Sequence, residues 1–201
     1  MAITFSETWE PPFWASPYRL RFELGVGELF IPRFNVAYER ARKLARAAIN
    51  ADSLFAIVEG SSDPASDPFF GPDYDGKSSF ETLEELGVST MPAEACWSGY
   101  AYPEYAVEPE AEPPEQRAVR VEGWQADILL WINIAREIAV RPIAPVLTRL
   151  VDRDREIRVF AYDDRGMDIT ALEPSRIAPL YKEFDEWLLD YDRPRMAEVF
   201  G

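Results

Sequence analysis

Residues 71–78 read Gly-Pro-Asp-Tyr-Asp-Gly-Lys-Ser and fit the phosphate-loop pattern G-x-x-x-x-G-K-S. In a working loop of that type, backbone N–H groups cradle phosphates, the lysine meets their charge and the serine holds magnesium. Gly71, Gly76, Lys77 and Ser78 are therefore nucleotide-binding candidates. Their context is poor. No strand leads into Gly71, Asp73 and Asp75 would put two negative charges inside the cradle, and the helix expected next is short. The same stretch hints at a calcium loop. An EF-hand with its glycine at Gly76 would start at Gly71 and end at Thr82, however, and neither supplies a carboxylate.

A second cluster, Asp163-Asp164-Arg165-Gly166 with Asp168 close behind, is the densest group of charges beside an expected strand. Converging aspartates hold magnesium or act as acid and base, which would make the chain a metal-dependent hydrolase or phosphotransfer enzyme. Turn chemistry explains the same residues. Aspartates accept backbone N–H groups in turns, and Gly166 can take positive φ. The turn is the preferred reading. The chain contains no histidine, which removes Ser-His-Asp and Cys-His nucleophile systems, histidine-ligated zinc and a histidine general base. Its only cysteine, Cys96, has no basic neighbour to activate the thiol and fits a reducing compartment. Gly25-Val26-Gly27 lacks the third glycine of a dinucleotide fingerprint. No cofactor and no metal set is expected.

Arg19 to Leu24 alternates strictly, with Leu20, Phe22 and Leu24 on one face, as a half-buried strand does. Asn35 is the expected N-cap of a helix to about Ile49, and Leu54 to Val58 is a short buried strand. Strand, helix and strand in that order read as a small crossover unit, possible with parallel strands. Arg33, just before the expected helix, and Arg40, Arg42, Lys43 and Arg46 within it form the one basic concentration of the chain. It could dock an acidic ligand, but a solvated face paired with the protein's own carboxylates is preferred. Ser79 is the expected cap of a short helix from Phe80 to Leu86, closed by Gly87. Residues 91–116 are rich in proline and glutamate and read as an extended acidic insertion.

Ala126 to Ala139 is apolar nearly all round, apart from Asn133, and reads as a central helix. Val146–Val151, Ile157–Tyr162 and Met167–Ala171 follow at the short spacing of an antiparallel meander. Ile177, Leu180, Tyr181, Phe184, Trp187, Leu188 and Tyr191 then keep helical spacing over four turns. The expected class is α+β: one domain with a mixed or antiparallel sheet, helices mainly on one face, and a C-terminal three-stranded meander plus amphipathic helix.

Thirty-six acidic residues against 21 basic ones give a formal net charge of −15. A phosphate backbone would be repelled at long range, so nucleic acid is not an expected partner. No segment approaches the roughly 20 apolar residues of a membrane span. The first ten residues have neither a basic start nor an apolar core, so no secretory leader is expected.

The Tyr162-Asp163-Asp164-Arg165-Gly166 stretch, then Pro179-Leu180-Tyr181, then Asp185 through Arg193 resemble the bacterial family catalogued as domain of unknown function 3885. A Tyr-Asp-Asp-Arg-Gly stretch followed by Trp-x-Leu-Asp-Tyr-Asp-Arg is the hallmark of that family. The likeness covers Ile157 to Phe200 and, more weakly, Arg19 to Ala48; the loops between differ. It implies a small cytoplasmic bacterial protein of unknown activity and brings no catalytic residues. Its signature, Asp163, Asp164, Arg165, Trp187, Asp190, Tyr191, Asp192 and Arg193, joins Tyr162, Gly166 and Asp168 as candidate binding residues. The leading expectation is that these side chains brace one another, with Arg165 bridging to Asp190 or Asp192. The expected function is a non-catalytic binding module, an adaptor or immunity-type inhibitor recognising a basic protein partner. The aspartate enzyme and the nucleotide site are the alternatives. The sequence leaves the oligomeric state open.

Overall fold

The computed structural model describes residues 16–62, 77–99, 113–138 and 140–201. Among the described residues, seven strands form one sheet: β1 (Arg19–Glu23), β2 (Leu54–Gly60), β3 (Ala95–Ser98), β4 (Glu115–Arg120), β5 (Leu147–Asp152), β6 (Ile157–Ala161) and β7 (Gly166–Ala171). Their order is β1-β7-β6-β5-β2-β4-β3, and every neighbouring pair is antiparallel. The expected meander is present as β5-β6-β7. It lies between β1 and β2, so those two strands are not neighbours and no parallel pair forms.

Two-residue periodicity gives each strand two faces. Leu20, Ile169, Val159, Leu150, Ala56 and Val119 are successive Cα partners across six strands. All are buried in the main core. Helices α1 (Phe30–Ala48) and α3 (Gly123–Ala135) pack on this face, α1 through Phe34, Ala37, Ala41, Leu44, Ala45 and Ala48. Trp131 of α3 meets Phe34 edge-on, with ring centroids 4.4 Å apart. Asn133, the polar interruption in that helix, donates to the Thr148 carbonyl at 2.7 Å and accepts its N–H at 3.1 Å. The amide thus serves both backbone groups of a buried β5 residue.

Three elements differ from the sequence-based expectation. Helix α1 begins at Phe30, so Asn35 lies inside it and Leu29 stands at the N-cap. Part of the expected acidic loop is strand. Ala95 and Trp97 point onto Phe55, Ile57, Ala118 and Val151, a packing role that overall composition conceals; residues 100–112 of that insertion lie outside the described residues. The expected four-turn C-terminal helix is broken into α4 (Ala178–Glu183), two single turns and α5 (Arg193–Phe200). Between the pieces, Leu188 pairs with Phe22 as an antiparallel bridge and the Leu189 N–H donates to the Arg21 carbonyl at 2.8 Å. Strand β1 is a sheet edge whose outer backbone groups need partners, and that demand outweighs helical propensity here.

Candidate functional site

The signature turn joins β6 to β7. Asp163 is buried, and its carboxylate accepts the Arg165 N–H at 2.7 Å and the Arg165 Nε–H at 2.7 Å. This is an aspartate turn closed by an arginine of the same turn, with the rest of the Arg165 side chain exposed. Asp164 instead takes the Nε–H of Arg33 from the first turn of α1, and its carbonyl accepts the Gly25 N–H at 2.8 Å. The Arg165 carbonyl accepts the Leu24 N–H at 3.0 Å, and Arg33 Nη1 donates to the Gly27 carbonyl at 3.0 Å. The turn therefore fastens the connection from β1 to α1 at three points, and Arg33 adds a fourth bond within that connection. Gly25 has to be glycine, because a Cβ would stand 2.6 Å from the Asp164 carbonyl oxygen. Gly166 is a strand residue without positive φ, contrary to expectation. A Cβ there would collide with the Tyr162 phenol, so ring packing requires the glycine.

Asp168 faces away from this turn, on the sheet face opposite α1 and α3. It accepts Arg21 Nε at 3.0 Å and Arg19 Nη1 at 3.3 Å. Arg21 Nη1 reaches on to Asp192 at 2.8 Å. Burial pushes the Asp168 carboxyl up, against the pull of Arg21 and Arg19. Burial, with the Asp168 charge beside it, also raises the Tyr162 phenol, which Arg21 opposes. Asp163, Asp164 and Asp168 thus have three different sets of arginine partners. They do not converge, and no three Cys, Asp or Glu side chains among the described residues are grouped to hold a metal ion.

Arg165 does not bridge to Asp190 or Asp192. Asp192 holds Arg21, while Asp190 and Asp185 hold Arg193 at 3.1 and 2.6 Å. Trp187 lies beneath Arg40 and Lys43 of α1, 5.1 and 5.9 Å from the ring centroid. Tyr191 projects into solvent. The remaining basic residues of α1 are engaged within the chain: Arg42 and Arg46 both reach Asp127, at 2.8 and 2.7 Å, and Lys43 pairs with Glu39.

Gly71 and Gly76 of the phosphate-loop pattern lie outside the described residues. Ser78, not Ser79, caps helix α2 (Ser79–Glu85). Its Oγ accepts the Glu81 N–H at 3.2 Å, and Glu81 returns the bond to the Ser78 N–H at 2.8 Å. Lys77 Nζ lies 2.6 Å from Glu85. Both residues have a structural employment in the fold.

Above the signature turn the chain presents an apolar tip. Val26, Leu29, Phe30 and Ile31 are 51, 73, 69 and 60% exposed. Leu29 makes no side-chain cap bond, and the first turn of α1 contains no acidic residue. Serine or aspartate at that position would stabilise the helix by about 1 kcal/mol, so helix stability does not explain the leucine. Glu23 and Glu28 are exposed at the margin and have no ion pair among the described residues. The neighbouring cations, Arg33 and Arg165, are both neutralised by signature aspartates.

A family model described as Domain of unknown function (DUF3885) matches residues 1–192. The chain belongs to this family. Curated proteins and solved structures yield no match. In this DUF3885 chain the aspartate–arginine signature was readable as a set, but its partners Arg19, Arg21 and Arg33 and the tip it supports were not. The available signal was Leu29-Phe30-Ile31, three large apolar residues directly after a glycine-bearing turn and ahead of the core stripe.

Proposed function

We propose that this DUF3885 chain is a non-catalytic protein-binding module of the bacterial cytoplasm that recognises a basic partner through the Val26–Ile31 tip. The exposed apolar run carries this reading. Soluble chains rarely display large side chains together without a partner for them, and here they replace the residues that would stabilise the helix end. Charge favours a basic partner. The tip is rimmed by Glu23 and Glu28, and the whole chain stands at −15. Acidic rims speed encounter with a cationic surface and repel a second copy of the same chain. The separation of Asp163, Asp164 and Asp168, each held by arginine, supports a bracing role for the signature.

A photo-crosslinking residue at position 30, with one at the exposed position 191 as control, tests the reading in host cells. The expected outcome is one dominant adduct from position 30, to a protein of net positive charge, that vanishes with Leu29→Asp. Equal capture from both positions, or an adduct with an acidic protein, overturns it.

A further inference from the structure

The apolar tip is held in shape from inside. The Arg33 side chain leaves the first turn of α1 and lies back across Gly25. A Cβ on Gly25 would stand 2.9 Å from Arg33 Cγ and 3.1 Å from its Nε. The Nε–H meets the Asp164 carboxylate, and Nη1 donates to the Gly27 carbonyl at 3.0 Å. One guanidinium thus serves two acceptors, one on the β6–β7 turn and one inside the loop that carries Val26. The Arg33 side chain is mostly enclosed, while Val26 and Leu29 on either side of Gly27 are exposed.

Gly27 shows what the second of these bonds does. Its φ is +86°, in the left-handed region that other residues avoid. A Cβ there would meet no described atom within 4 Å. Crowding does not demand this glycine; the backbone turn does. Among the described residues, the Arg33 bond is the one hydrogen bond made by residues 26–28. Nothing but this guanidinium therefore ties the middle of the loop to the rest of the fold by a hydrogen bond. A lysine ammonium is a single point on a flexible stem and does not reproduce a planar fork spanning two acceptors.

We propose that Arg33 is the positioning residue of the recognition tip. Its fork holds the loop from Gly25 to Leu29 in one conformation, so Val26 and Leu29 meet the partner as a preformed surface. The inference rests on the binding reading given above and adds to it the residue that sets the shape of the tip. A preformed loop binds more tightly than a loose one, because nothing has to be ordered on contact. Both arms of the fork are engaged within the chain, so Arg33 acts through the loop and not by touching the partner.

The test joins backbone amide relaxation of the full chain to crosslinking from position 30. In the unaltered chain, Val26 to Leu29 should be as rigid on the ps–ns timescale as β1. Arg33→Lys keeps the charge beside Asp164 and loses the fork. It should make those four amides mobile while the melting temperature falls by no more than about 4 °C. Crosslinking should fall about fivefold, as expected if the tip keeps its shape about one fifth of the time. Gly27→Val should loosen the same residues, and Gly27→Asn should loosen them less, because asparagine tolerates the left-handed region. A tip that stays rigid in Arg33→Lys overturns the proposal. So does crosslinking that survives undiminished beside a mobile tip, or an equal loss of order across β1 and α1. If the unaltered chain gives no adduct, the binding reading fails, and the relaxation data still decide whether Arg33 orders the tip.

Discussion

Asp164 and Arg33, 131 positions apart in the chain, meet where the β6–β7 turn touches the first turn of α1. The same aspartate accepts the Gly25 N–H through its carbonyl at 2.8 Å, so one residue holds both ends of the loop that carries Val26 and Leu29. The aspartate–arginine pairs of the signature tie chain segments together, and the product of that bracing is a fixed apolar tip.

Removing the Asp164 charge should loosen the tip before it unfolds the protein. Asp164→Asn weakens a charge-assisted bond but keeps the carbonyl contact to Gly25, so global stability should fall by only about 1 kcal/mol. Amide exchange at Gly25 to Ile31 should accelerate while that of the β5–β7 meander stays slow. Uniform acceleration across the sheet would show that the contact supports the core instead.

Asp152 is a carboxylate that four donors share. It is fully buried and accepts the Asn50 N–H at 2.7 Å, the Ser53 hydroxyl at 2.8 Å, and the Asp154 and Arg155 N–H groups at 3.1 and 3.0 Å. Asp152→Ala strands all four donors, and the expected loss is about 3 kcal/mol in denaturant unfolding. A loss below about 0.5 kcal/mol, the scale of an ordinary surface substitution, would contradict this role.

The cap of α2 gives a pH signature. The Ser78 backbone N–H, then its hydroxyl, hold the Glu81 carboxyl below its ordinary value. A depressed folded value means the cap's contribution is complete above the ordinary glutamate range and is lost as pH falls through the lower, folded value. Carbon-detected titration should place Glu81 below the ordinary glutamate value, and Ser78→Ala should return it toward that value. If Glu81 titrates at the ordinary value, the capping box does not persist in solution.

How far the sequence reaches is set by the range of the interactions involved. The β5–β7 meander and the strand at Arg19 were legible because alternation and turn residues act over a few positions. The central helix was legible from its apolar run, and Asn133 looked like a flaw only because its partner Thr148 lies on another element. The break at Leu188-Leu189 was not legible. Helical spacing persists through it, and only the unpaired edge of β1, far away in the chain, pulls those residues into extended form. Composition hid β3 for a similar reason: Trp97 belongs to a cluster completed by Phe55 and Val151. In the signature, the residue types were readable and the pairing was not. Arg165 closes its own turn on Asp163, and the reach to Asp192 comes from Arg21.

Leu29→Asp separates recognition from folding in a single substitution. The aspartate gives α1 the N-cap and the first-turn charge it lacks, so the variant should be more stable by about 1 kcal/mol, while partner capture falls at least tenfold. A destabilised variant would show Leu29 to be a packing residue. A stable variant that still captures its partner would place recognition elsewhere on the molecule.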